Sequence, residues 1–229
     1  MANPHPATAS YTGDAGRAYH GDKRGLPPVA LPWVAAVRAR LFQPHVRETD
    51  AVFEFGCGAG WNLAALQAAR RVGFDVADFL RPEVEAAGAE FVTDTAALPD
   101  AAFDAVIAHH ALEHVEEPRA VLGELRRLLK PGGTLLAAVP YEKERRYRRF
   151  DPAEPNRHLY SWNPQTFGTL LTVAGFAVRE IGLRRYGYDR RAAVLAARLG
   201  LCPTGFRTIR GLLRTLRPLH EVAAVAGRP

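Results

Sequence analysis

The sequence predicts an α/β fold: a doubly wound, seven-stranded, mostly parallel sheet, with a helical arm before it and a helical insertion ahead of its last strand. Three observations carry this. Short β-branched or aromatic runs alternate with longer Ala- and Leu-rich stretches between residues 51 and 139. The first run, Val52-Phe53-Glu54-Phe55, ends in a turn with glycine at every second position. Gly and Pro punctuate the ends of the longer stretches.

In chain order, residues 1–25 form a Gly-, Pro-, His- and Tyr-rich arm, and 32–42 reads as a helix. Strands are expected over 51–55, 71–75, 90–93, 103–109 and 134–139, with helices over 61–70, 82–87 and 118–129 between them. Lys130-Pro131-Gly132-Gly133 closes the last of these helices with a basic turn followed by breakers. Residues 141–160 are charged and Pro-containing without a clean period, so they read as a loop over the carboxyl edge of the sheet. Asn163-Pro164 starts a helix to residue 174, Gly175 ends it, and 176–183 and 220–226 supply the sixth and seventh strands.

Residues 184–219 are too many for a plain loop and leave room for two helices. The second, 204–217, sets Phe206, Ile209, Leu212, Leu213 and Leu216 on one face against Arg207, Arg210, Arg214 and Arg217 on the other. The expectation is a cap with a solvated Arg face; the alternative is a surface that meets anionic lipid or phosphate. The whole chain is read as one domain: arm and helix 1–45, core 46–183, insertion 184–219, last strand and tail 220–229.

A chain of 229 residues, 48% hydrophobic, can bury a full core. Its two cysteines, Cys57 and Cys202, are far apart and suggest neither a disulfide framework nor a zinc site, so no metal is expected. The amino terminus lacks the layout of a signal peptide, and no apolar run reaches the roughly 18 residues of a membrane span. A cytoplasmic protein is the expectation. The net charge of +6 raises an anionic partner. Yet only Lys23, Lys130 and Lys143 among the basic residues are lysine, and an Arg- and Ala-rich chain also follows from genomic base composition.

The turn Gly56-Cys57-Gly58-Ala59-Gly60 follows an apolar strand. Glycine there permits positive φ and close approach of the backbone to a ligand, and a following helix would offer free N–H groups. The dinucleotide fingerprint wants a further glycine where Trp61 stands, and a nucleoside triphosphate site wants a Gly-Lys-Ser/Thr ending that is missing.

The pattern instead resembles the first motif of the class I methyltransferases. The resemblance extends in order through Asp75, Asp94 with Leu98-Pro99, Phe103-Asp104-Ala105-Val106, Leu112-Glu113-His114-Val115 and Leu128-Leu129-Lys130-Pro131-Gly132-Gly133. These look like the successive motifs of the small-molecule, methyltransferase type 11-like group, over residues 50–226. The resemblance implies a sheet with a reversed last strand and S-adenosylmethionine bound across the strands' carboxyl ends, with S-adenosylhomocysteine as by-product. Its cofactor site would comprise Glu54, Gly56, Cys57, Gly58, Gly60, Asp75, Val76, Asp94, Thr95 and His109. Asp75, closing the second strand, would accept hydrogen bonds from the ribose hydroxyls, and Asp94, closing the third, one from the adenine amino group, with Thr95 beside it.

Methyl transfer from a sulfonium needs alignment, and needs a base only if the acceptor carries a proton. His109 and His110, at the end of the fourth strand, are the candidate bases. Glu113 and His114 read as fixing the next loop. Tyr19, His20 and Lys23 in the arm, with His158, Tyr160 and Trp162 beyond the fifth strand, are candidate acceptor-binding and lid groups. Lys143, Arg145, Arg146, Arg148 and Arg149 suit a phosphate or carboxylate on the acceptor. A small-molecule or glycan-like acceptor is expected by analogy of fold. The rivals are a nucleic-acid methyltransferase, against which the fourth strand lacks an Asn/Asp-Pro-Pro-aromatic ending, and a non-catalytic S-adenosylmethionine-binding protein. The 184–219 insertion is expected to cover the acceptor pocket or to form a homodimer contact.

Overall fold

The computed structural model describes residues 10–142, 149–151 and 156–229, with the side chains of all of these except 22–24. The expected roles of the Lys23 side chain and of Lys143, Arg145, Arg146 and Arg148 lie outside the described residues. The helices are α1 (Gly13–Arg24), α2 (Leu31–Phe42), α3 (Arg81–Ala86), α4 (Pro118–Leu128), α5 (Pro164–Val173), α6 (Asp189–Arg198) and α7 (Pro203–Leu216). The strands are β1 (Ala51–Phe55), β2 (Arg70–Phe74), β3 (Glu90–Val92), β4 (Phe103–His109), β5 (Leu129–Pro140), β6 (Ala177–Tyr186) and β7 (Leu219–Gly227). They form one sheet in the order β3-β2-β1-β4-β5-β7-β6. All are parallel except β7, which runs antiparallel to both β5 and β6.

Both faces of the sheet are covered, as the apolar strands require. Alternate residues serve opposite faces. Phe53, Phe103 and Val106 pack with Leu122, Leu125, Phe167 and Leu171 from α4 and α5. Val52, Ala105 and Ile107 pack with Phe42 from α2, Leu63, Leu66 and Val84. A third cluster joins the insertion to the arm side: Ala192, Ala193, Ala196 and Phe206 of α6 and α7 close over Ala30 and Val34.

Three expectations are corrected. Residues 61–70 do not form a helix; they make a turn, with Leu63 and Ala64 N–H both donating to the Gly60 carbonyl, and then continue without regular structure to β2. The cause is length. Descending beside a five-residue strand covers about 17 Å, for which a helix needs about 11 residues, and the turn at 61–64 has already consumed several of those available. Arg71 takes over the work of a helix end by donating to the carbonyls of Leu63 and Ala64.

Secondly, α7 does not present a wholly solvated Arg face. Its domain-facing edge runs through Phe206, Arg210 and Leu213, one turn apart, so Arg210 reaches a buried ion pair while Leu212 and Leu216 are exposed. Thirdly, β5 and β6 are longer than predicted. Lys130-Pro131-Gly132-Gly133 lies within β5 at a register shift against β4, and β6 extends to Tyr186 by pairing with β7.

Candidate active site

The sheet order reverses between β1 and β4, where connections leave toward opposite faces and a crevice forms at the strands' carboxyl ends. The glycine turn sits there, with φ of 69° at Gly56, 53° at Gly58 and 73° at Gly60. A Cβ on Gly56 would lie 2.6 Å from the Ala111 Cβ. Asp75 ties this turn to the end of β2: one carboxylate oxygen accepts from Gly58 N–H at 2.8 Å, the other from Ala77 N–H at 3.0 Å. Each oxygen keeps a second lone pair. Glu54, wholly buried below the turn, accepts a hydrogen bond from the Asn62 amide.

Two cavities meet at the turn. The smaller, about 270 Å³, is an apolar slot lined by Phe55, Phe74, Val76, Ala111 and Val115, with Asp75 and His20 at its edges. The larger, about 1230 Å³, runs under the insertion past Arg38, Trp61, Asn62, His158, Arg185 and Arg217. Gly56, Tyr19, His110 and His114 line both. The arm contributes directly, since Tyr11 Oη lies 2.8 Å from Nδ1 of His114.

Glu221, wholly buried on β7, organises the end of β4. One of its oxygens faces Nε2 of His110 at 2.9 Å and Nε2 of His109 at 3.3 Å, and the other accepts from Arg184 Nε at 2.7 Å. Burial alone would raise this carboxyl, but the hydrogen bonds from His109 and His110 outweigh it and hold the group well below the usual carboxylate range. Asn62 donates to Nδ1 of His109 at 3.3 Å and accepts from Arg38, which fixes His109 as the tautomer with the proton on Nε2. Burial, more than any other influence, depresses the His109 pKa to about 4, so the ring is neutral at pH 7. His110 adopts a left-handed backbone with φ of 55° that turns its ring over the junction of the cavities.

The expected site residues separate accordingly. Gly56, Cys57, Asp75, Val76, Tyr19, His20, His109, His110 and His158 line one cavity or both. Glu54, Gly58 and Gly60 shape the turn from behind. Asp94 and Thr95 line neither: Asp94 is exposed and accepts from Ala96 N–H, and the Thr95 carbonyl accepts from Arg127. Tyr160 also lies elsewhere, stacked on Trp162 with its hydroxyl donating to the Glu116 carbonyl. Sequence reasoning missed Glu221, Arg38, Asn62 and Asp189. Glu221 had a signal, a lone acid at the head of the apolar run Val222-Ala223-Ala224-Val225-Ala226.

A model of the methyltransferase domain family matches residues 32–181. An uncharacterized methyltransferase of Mycobacterium tuberculosis is 39% identical over 98 residues, which cover 38% of this chain and 49% of that protein. A ubiquinone biosynthesis O-methyltransferase of Xanthomonas campestris pv. campestris is 35% identical over 129 residues, 50% of each. The chain thus spans about half the length of the curated relatives it matches. Among solved structures, an S-adenosylmethionine-dependent methyltransferase of Thermotoga maritima gives a TM-score of 0.61 at 15% identity, covering 87% of this chain and 91% of that one, a likeness of fold. The family model covers more than half of the chain, and the sheet carries the reversed strand and glycine turn that the resemblance implied: the chain belongs to the methyltransferase domain family, of the class I, S-adenosylmethionine-dependent kind.

Proposed function

We propose that this chain transfers a methyl group from S-adenosylmethionine to a hydroxyl of a small-molecule or glycan-like acceptor that bears an anionic group. The observation that carries the reading is the meeting of the two cavities at Gly56 and His110. The smaller slot fits an adenosine: apolar walls for the base, and Asp75 with spare lone pairs for hydroxyls. The glycine turn and the larger cavity beyond it fit the polar amino-acid end. When bound, the cofactor supplies an electrophilic methyl on a sulfonium.

The chain's own residues then do two things. Glu221 holds Nε2 of His110 as a donor, leaving Nδ1 of that ring to accept the hydroxyl proton, the logic by which a buried carboxylate sets a histidine's tautomer. The insertion supplies cations: among the described residues no ion pair engages Arg185, Arg191 or Arg217, all of which line the larger cavity. A carboxylate or phosphate on the acceptor suits them. The likeness to an O-methyltransferase supports oxygen as the methylated atom.

The test is transfer of a labelled methyl group to a panel of hydroxyl compounds with and without an anionic group. Product is expected on anionic members, and Glu221→Gln should lower kcat by about 10² to 10⁴ while S-adenosylhomocysteine affinity stays within a few-fold. Transfer that ignores the anionic group, or that survives Glu221→Gln intact, would refute this assignment.

A further inference from the structure

On the other side of His110, a second polar cluster faces the larger cavity. Glu113 and His114 come from the segment after β4, and His158 from the segment before α5. One ligand atom from each of the three lies within 4.8 Å of the other two, and Nε2 of His114 is 3.8 Å from Glu113 Oε1. Ligand atoms bound to one cation at about 2.0–2.1 Å sit about 3.3 Å apart, so small side-chain adjustments would bring the three to a common centre.

Two observations set this cluster apart from ordinary polar contacts. Glu113 is 1% exposed, and among the described residues neither of its carboxylate oxygens has a hydrogen-bond partner. A carboxylate in that position calls for a proton or a cation to neutralise it. The histidines, in turn, are both held from behind. Tyr11 Oη engages Nδ1 of His114 at 2.8 Å, and Glu142 engages Nδ1 of His158 at 2.8 Å. Hydroxyl or carboxylate partners on the far nitrogen are how ligating histidines are oriented and made more basic.

We propose that Glu113, His114 and His158 form a binding site for a divalent transition-metal ion, with Tyr11 and Glu142 as its supporting shell and its remaining coordination positions open to the larger cavity. Two imidazoles and one carboxylate are a donor set that zinc takes in sites with an open coordination position. This departs from the metal-free site expected from sequence, where His158 lies far from the Glu113-His114 pair. A use for the ion, polarising the acceptor hydroxyl, rests on the methyl transfer proposed above; the binding site itself does not.

The full chain, stripped with a chelator, would be titrated with zinc against a chromophoric competitor. One equivalent is expected to bind. His158→Ala and Glu113→Gln should each weaken binding by at least about tenfold, and Glu142→Gln by roughly 10- to 100-fold, whereas His110→Ala should leave it unchanged. His158→Ala, in a surface segment, keeps the test valid if Glu113→Gln fails to fold. Cobalt in place of zinc gives an independent readout, an intense visible absorption of the low-coordinate ion that His158→Ala abolishes. No stoichiometric uptake would overturn the proposal, leaving Glu113 neutralised by a proton. So would uptake lost in His110→Ala and kept in His158→Ala, which would assign the ion to His109, His110 and Glu221. Zinc bound as described without methyl transfer would sink the functional reading and leave this site standing.

Discussion

Replacing His109 by Gln removes a proton-binding group that the folded chain refuses and the unfolded chain accepts. In the folded protein burial holds its pKa at about 4, against an ordinary value of 6.5. Between those two pH values the unfolded state binds a proton that the native state does not, so stability rises with pH across the window. The contribution is complete above pH 6.5 and is lost as the pH falls toward 4. That gap corresponds to about 3 kcal/mol. Glu221 adds to the trend from below: its depressed pKa stabilises the fold above the ordinary carboxylate value, and that support is lost as the pH falls through the folded value. Gln at position 109 can still donate to Glu221 and accept from Asn62, so the variant isolates the titration. Urea unfolding of both proteins at steps from about pH 7.5 to about pH 4.5 gives the difference in stability at each pH. The variant should gain on the wild type by about 2–3 kcal/mol across that range, with unchanged m-values. Parallel curves would show that His109 titrates normally, and the neutral ring beneath His110 would have to be abandoned.

Two further outcomes follow from the geometry of the turn and the cap. Gly56→Ala places a side chain at φ of 69° and against Ala111, and should destabilise by about 2–4 kcal/mol, or weaken S-adenosylhomocysteine more than tenfold if the turn yields; urea unfolding and calorimetry distinguish the two. Asp189 lies between Arg38 at 3.0 Å and Arg210 at 2.5 Å. Asp189→Asn should cost about 2–3 kcal/mol and open α6 and α7 to limited proteolysis first.

The fold was legible where local pattern and long-range pairing agree. The strands β1 and β4 announce themselves as apolar runs because both of their faces are buried, and the run into Gly56 marks the carboxyl end of the sheet at once. Asn163-Pro164 and Gly175 bracket α5 because the capping chemistry is local: the Asn163 side chain accepts from Thr166 N–H. The stretch after Gly60 misled because Ala-rich composition favours a helix while the distance down to β2 forbids one, and composition does not register that distance. The end of β6 was hidden because its last residues are held by β7, far along the chain, and not by their own pattern.

The site was half visible for the same reason. Gly56, Asp75, His109 and His110 sit at strand ends, where sequence position implies place in space. Glu221, Arg38, Asn62 and Asp189 come together from β7, α2, the turn after β1 and α6, and no spacing in the chain links them. The residue type and segment of Tyr160 suit a pocket, but its ring stacks on Trp162, away from both cavities.

Cofactor binding in this crevice is tested by calorimetric titration of the wild type and of Asp75→Ala with S-adenosylhomocysteine, alongside circular dichroism to establish that both are folded. Saturable binding of one equivalent to the wild type is expected, weakened roughly 10- to 150-fold in the variant by loss of charged hydrogen bonds to the ligand hydroxyls. A folded wild type that takes up no S-adenosylhomocysteine, or a folded variant that binds it equally well, would contradict the assignment of this crevice.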